Sequence, residues 1–125
     1  MGEVYYYQGE TQKAIDAYQN AITQNPDNDM AYYHLGILHR SRGNQQLAVE
    51  AYQRAIEINP QNAGAHNNLA VTYYYAEQYD LAEEHAYSAN RLGRNMMSLF
   101  NQISQHKANS WALIKVGHGA LDPLL

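Results

Sequence analysis

The chain has 125 residues, 46% of them apolar, with a net charge of −4 and a pI near 5.8, which fits one domain with a continuous but thin core. Its acidic balance gives no electrostatic footprint for nucleic acid or an acidic membrane surface. The absence of cysteine excludes a disulfide frame and any thiolate metal site, and no stretch reaches the roughly 18 consecutive apolar residues of a membrane helix. No secretory leader opens the sequence, and the compartment stays open, with the cytoplasm slightly favoured.

In chain order, residues 2–8 and 11–24 read as two helices parted at Gly9. Pro26 follows the second and stops it. Asp27, Asn28 and Asp29 offer side-chain oxygens to cap the next helix. The pattern then repeats. Helices at 29–42 and 45–58 flank Gly43, where glycine takes a left-handed helix end at least cost. In the second of these, Leu47, Ala48, Ala51, Tyr52, Ala55 and Ile56 share one stripe, and Glu50, Gln53, Arg54 and Glu57 lie opposite. Pro60 stops that helix, and Gln61 with Asn62 caps a third pair at 63–76 and 79–92. Leu92 and Gly93 read as a stop. An amphipathic helix at 95–107 follows, with Met96, Leu99, Phe100 and Ile103 on its apolar stripe and Ser98, Asn101, Gln102 and Gln105 on its polar face. Such a helix suits the end of a stack, one face for the last repeat and one for water. In 108–125, Trp111 and several aliphatics break the periodicity and Gly117 and Gly119 interrupt helix formation. That tail reads as a linker, the start of another domain, or a segment that docks in an apolar groove.

The marks recur at a fixed interval: Gly9 and Gly43 are 34 positions apart, as are Pro26 and Pro60. Between them, Ala14 to Ile22 and Ala48 to Ile56 are near-copies. A period of this length signals stacked helical pairs. With Ala, Tyr and Pro at these offsets, the chain resembles the tetratricopeptide repeat (TPR) family. That family's pattern places Trp, Leu, Gly, Tyr, Ala, Phe, Ala and Pro at positions 4, 7, 8, 11, 20, 24, 27 and 32. The repeat at 29–62 supplies Tyr32, Leu35, Gly36, His39, Ala48, Tyr52, Ala55 and Pro60. The repeat at 63–94 supplies His66, Leu69, Ala70, Tyr73, Ala82, Ala86 and Ala89, with Arg94 in place of the proline. A partial repeat at 1–28 begins at position 7 with Met1 and continues with Gly2, Tyr5, Ala14, Tyr18, Ala21 and Pro26.

The resemblance implies an all-α, right-handed α-solenoid of helix-turn-helix repeats over residues 1–107, closed by the capping helix. It also sorts the 12 tyrosines. Tyr5, Tyr18, Tyr32, Tyr52 and Tyr73 hold packing positions. Positions 2, 5, 9, 12 and 13 of the first helix in each pair point into a concave groove. These are Tyr6 and Tyr7; Met30, Tyr33, Ile37, Arg40 and Ser41; and Gly64, Asn67, Val71, Tyr74 and Tyr75. His34 and Asn68 stand beside them. Tyrosine and arginine are enriched at binding hot spots.

Catalytic chemistry finds little support. His34 and His39 are five apart and share no helical face in the i, i+4 sense. His66 and His85 hold packing positions. The glycines are isolated helix stops, not a phosphate loop, and no Ser-His-Asp arrangement is suggested. The expectation is a non-enzymatic module without cofactor or metal, whose partner is a protein or peptide held in the groove. Arg40 is the only cation among the groove positions, so the basic-and-amide clamp by which some TPR domains hold a chaperone's acidic tail is not expected. Two other readings stand beside this one. The open N-terminal half-repeat would serve self-assembly into a homo-oligomer, or the chain would be the accessory domain of a larger enzyme.

Overall fold

A computed structural model describes the backbone of residues 2–117 and the side chains of residues 9–112. The order is α1 (Gly2–Gln24), α2 (Asp29–Ser41), α3 (Gln45–Ile58), α4 (Ala63–Tyr75), α5 (Tyr79–Arg91) and α6 (Met97–Gly117), with no strand among the described residues. Helices α2 and α3 form one antiparallel pair, α4 and α5 another, and each helix packs chiefly on its chain neighbours. This is the all-α stack of helix pairs that the repeat implies.

The helix starts follow the capping logic of the sequence. Asn28 Oδ1 accepts from the Ala31 amide at 3.0 Å, and Asn62 Oδ1 accepts from the Ala65 amide at 2.9 Å. The amides of Asn59 and Asn62 both donate to Asp29 Oδ2, at 3.1 and 3.0 Å. Asp29 thereby ties the loop after α3 to the start of α2.

Three helix ends share one hydrogen-bond pattern. The amides of Asn44, Gln78 and Arg94 donate back to the carbonyls of His39, Tyr73 and Ala89, at 2.8, 2.9 and 3.0 Å. Each is the closing bond of a helix stop whose preceding residue is left-handed. Those residues are Gly43, Glu77 and Gly93, with φ of 80°, 62° and 102°. The departure from proline at position 94 now has a reason: Arg94 supplies an amide that proline lacks. Glu77 holds a conformation that costs a non-glycine residue about 1 kcal/mol or more, and its side chain is exposed. Glu77→Gly is therefore expected to raise stability by about 0.5–1 kcal/mol. Urea unfolding at fixed pH measures this, and a loss of stability would show that the Glu77 side chain holds something in place.

The core runs along the stack. Ala48, Tyr52, Ala55, Ala65, Leu69, Tyr73, Ala82 and Ile103 form one buried cluster. Ala70, Ala86, Ala89 and Met96 form a second toward α6, and Ile15, Leu35 and Ala51 a third toward α1. Alanine at the crossing points lets helices approach closely, and tyrosine rings fill what remains. Gly36 shows how tight this is. A methyl there would lie 2.6 Å from Cδ1 of Tyr52. His66 and His85 pack as the register implies. Their Nδ1 atoms are 3.1 Å apart, His66 Nε2 lies 2.9 Å from the Pro60 carbonyl, and His85 stacks on Tyr73.

Two expectations are corrected. The helices expected at 2–8 and 11–24 are one helix of 23 residues, and Gly9 lies inside it. Extending a formed helix adds a bond per residue, whereas a new short helix must be nucleated and then held by packing. The last helix likewise does not end near 107. It starts at Met97 and runs through Gly117, carrying Trp111 and the first ten residues of the expected tail. Residues 118–125, the rest of that tail, lie outside the described residues.

Candidate functional site

The groove positions sit on α2 and α4, the first helices of the two complete pairs. Tyr33 is half-buried and lies over Gly64, where an added methyl would sit 2.7 Å from its Cε1. Its ring meets His34 edge-on at 5.2 Å and Tyr52 at 6.2 Å. His34 is half-buried and stacks on Tyr18 of α1 at 5.2 Å. Tyr33 and His34 therefore seal seams between neighbouring units as well as lining the face. Asn67 and Asn68 are half-buried and joined by a hydrogen bond of 3.2 Å between their amides.

Tyr74 is drawn toward the end of the stack. Its ring contacts Tyr79 at 5.8 Å and His106 at 5.4 Å, and Tyr79 stacks on His106 at 5.2 Å. It helps hold α6 on α4 and α5. Tyr75 meets the edge of Tyr74 at 5.1 Å yet remains 77% exposed. Ile37 and Arg40 are exposed, and Val71 is half-buried. Tyr6 and Tyr7 lie outside the residues with described side chains.

One cleft brings three of these residues together. Arg40, Gly43, Gln45, Val71, Thr72 and Tyr75 line a space of about 180 Å³ between α2 and α4. It offers a guanidinium, an aliphatic wall and an exposed phenol within one small concavity.

Tyr52 adds a feature that its packing position hides. Its side chain is fully buried and its hydroxyl has no hydrogen-bond partner. Burial pushes that hydroxyl's pKa up, and the nearby Arg40 and Asn68 offset part of the effect. A residue of α3 thus places a polar atom beneath the face formed by α2 and α4. Nothing in the 34-residue pattern distinguishes a hydroxyl from the phenylalanine usual at that position. Among the described residues, no three His, Cys, Asp or Glu side chains gather closely enough to share a metal ion, and no helix is long and apolar enough to cross a membrane.

Two sequence profiles described as tetratricopeptide repeat match residues 1–63 and 51–84. No curated protein matches significantly. Among solved structures, the crystal structure of MamA is 33% identical, with a TM-score of 0.64 over 73% of this chain. This chain spans 53% of the length of that MamA chain. The first TPR of Spaghetti (RPAP3), solved bound to the HSP90 peptide SRMEEVD, is 19% identical, with a TM-score of 0.74 over 86% of this chain and 87% of that one. At that identity the likeness concerns the fold.

Proposed function

This chain belongs to the tetratricopeptide repeat family, whose fold is a protein–protein interaction module, and we propose that its α2–α4 face binds an extended peptide or a helix of a partner protein. The observation that carries this reading is the cleft joining Arg40, Val71 and Tyr75, with Tyr75 left 77% exposed. A large aromatic ring held in water beside a guanidinium and an aliphatic wall is the composition of a binding hot spot. Val71 and Ile37 would take apolar side chains of the ligand, and Asn67 and Asn68 would take backbone amides. Arg40 would favour an acceptor or acidic group at one end. A single cation does not suit a strongly acidic ligand, so the peptide bound by the RPAP3 domain is not carried over. The reading is of a scaffold without catalytic residues or cofactor.

The test is selection of peptides from a displayed random library on the folded chain, followed by NMR mapping of the best binder. Shifts should concentrate on Ile37, Arg40, Val71 and Tyr75. Tyr75→Ala should weaken binding by about tenfold or more and leave the thermal midpoint nearly unchanged, because its side chain packs little. Shifts centred on the opposite face, or full binding by Tyr75→Ala and Arg40→Ala, would remove this reading.

A further inference from the structure

The seam between α2 and α4 holds a polar group that the packing does not use. Gly36 has no side chain, and the ring of Tyr52 fills the space where one would stand. A residue of α3 thereby reaches between α2 and α4, and its hydroxyl ends near Arg40 of α2 and Asn68 of α4. That hydroxyl is buried and bonds to nothing. Gly36 and Arg40 are one turn apart on α2, as Asn68 and Thr72 are on α4. The hydroxyl therefore lies about one turn along the same seam from the cleft that Arg40, Val71, Thr72 and Tyr75 line. Arg40 belongs to both places.

The groups around this hydroxyl are mostly donors. Arg40 brings a guanidinium, which only donates. Among the described residues Lys13, Arg54 and Lys107 each pair with a carboxylate, and Arg40 does not. The side-chain oxygen of Asn68 accepts from Asn67 at 3.2 Å, which leaves the NH2 group of Asn68 to donate elsewhere. Tyr52 adds its own O–H. Acceptors are scarce. Helix α4 carries no acidic residue. The single acid of α2 is Asp29 in its first turn, already held by the amides of Asn59 and Asn62. Donors thus outnumber acceptors around a buried polar atom, and an unfilled atom of that kind calls for an explanation.

We propose that this seam takes one side-chain carboxylate of the bound peptide, an Asp or a Glu, received by the Arg40 guanidinium, the Asn68 amide and the Tyr52 hydroxyl. The inference rests on the peptide-binding reading and gives that ligand a chemistry. A carboxylate offers about four acceptor sites and no donor, which is what the seam lacks. Its single charge matches the single cation. Arg40 is exposed and tied to no carboxylate, so its side chain can shift to admit the ligand oxygen to the hydroxyl. An acidic side chain reaches below the helix surface, which a backbone laid across the face does not. Val71 in the adjoining cleft takes an aliphatic neighbour of the acid. Tyr52 is then a specificity determinant at a packing position. Phenylalanine would fill the same space and offer the carboxylate nothing. In the free chain the buried hydroxyl costs stability, and in the complex it gains a charged acceptor. The hydroxyl therefore weakens the free fold and strengthens the complex, and that opposition of signs separates a binding role from a packing role.

The test uses the whole chain and the short peptides selected on it from a random library, each winner made with a free and with an amidated C-terminus. An Asp or Glu should recur at one peptide position, and its change to Asn or Gln should weaken binding about tenfold or more. Tyr52→Phe should weaken the acidic peptide by a similar factor and leave the amide version unchanged, so that the two changes are coupled in a double-mutant cycle. Arg40→Gln should show the same coupling and serves in place of Tyr52→Phe if that variant loses stability. Binding on the α2–α4 face with no recurring acid, or an equal loss of both peptides in Tyr52→Phe, would overturn the carboxylate and leave peptide binding standing. Binding abolished by amidation alone would place the peptide's C-terminus at the seam and overturn the side-chain assignment. Failure of any peptide to bind that face would overturn both readings together.

Discussion

Tyr52→Ala is expected to destabilise the chain by about 3–5 kcal/mol, as large-to-small changes at filled aromatic sites do. The ring is 0% exposed and sits between α2, α3 and α4. It presses on Gly36 so closely that even a methyl at that glycine would displace it. Removing it opens a cavity at the junction of both complete repeats, and a stack gains stability from each such junction. Domains of this size have about 5–15 kcal/mol in total, so the variant should sit near unfolding at ambient temperature. Tyr52→Phe separates ring from hydroxyl. The hydroxyl is buried without a partner, and an unpartnered buried hydroxyl costs about 1–3 kcal/mol. The phenylalanine variant should therefore be as stable as the parent or more so. Urea unfolding of both variants decides the matter. A substantial loss in Tyr52→Phe would mean that the hydroxyl bonds to Arg40 or Asn68, and a mild Tyr52→Ala would mean that Tyr52 does not fill the core.

The repeat made Tyr52's burial legible, because alanine, tyrosine and proline at fixed offsets define which stripe faces inward. The same offsets placed Gly43 and the asparagine caps. They were less informative in α1 and α6. Gly9 and Gly43 look alike in sequence, yet only Gly43 turns the chain, where the packing of α2 on α3 draws the two helices into a hairpin. Glu77 turns the chain without glycine for the same reason: Leu69, Tyr73 and Ala82 draw α4 and α5 together. The register of α6 was also present in the sequence, as Phe100 and Ile103 at positions 4 and 7. Ser104 and Lys107 at positions 8 and 11 hid it. On the α2–α4 face, position alone separated groove from core but not one duty from two. Tyr33 and Tyr74 stand at groove positions and also pack on Gly64 and on Tyr79 with His106. Those contacts reach Gly64, 31 positions from Tyr33, and His106, 32 positions from Tyr74, or cross a turn to Tyr79, which a single repeat does not encode.

The fold should lose stability as the pH falls below about 6.5, and His85 should account for much of the loss. A carbonyl only accepts, so the Pro60 oxygen 2.9 Å away assigns the proton of His66 to Nε2. His66 Nδ1 is then an acceptor, and the His85 Nδ1 that lies 3.1 Å from it carries the proton between them. The neutral pair satisfies both rings. Burial lowers the pKa of His85, the neighbouring His66 lowers it further, and Glu84 only partly opposes them. His39 is lowered in the same sense by burial and by Arg42. For a base whose folded pKa is depressed, the unfolded chain takes up the proton first. Stability is therefore full above the ordinary value of 6.5 and is lost as the pH falls from there through the folded value. Asp80, held below the ordinary carboxylate range by its hydrogen bond from Lys107, loses its contribution only at lower pH. Unfolding measured between about pH 7.5 and 5 thus reports mainly on the histidines. In His85→Gln, the glutamine amide can still donate toward His66 but carries no titrating group. Its stability should fall less steeply across that window than the parent's. Equal slopes for the two proteins would mean that the His66–His85 pair does not set the acid sensitivity, and would point to His39 in its place.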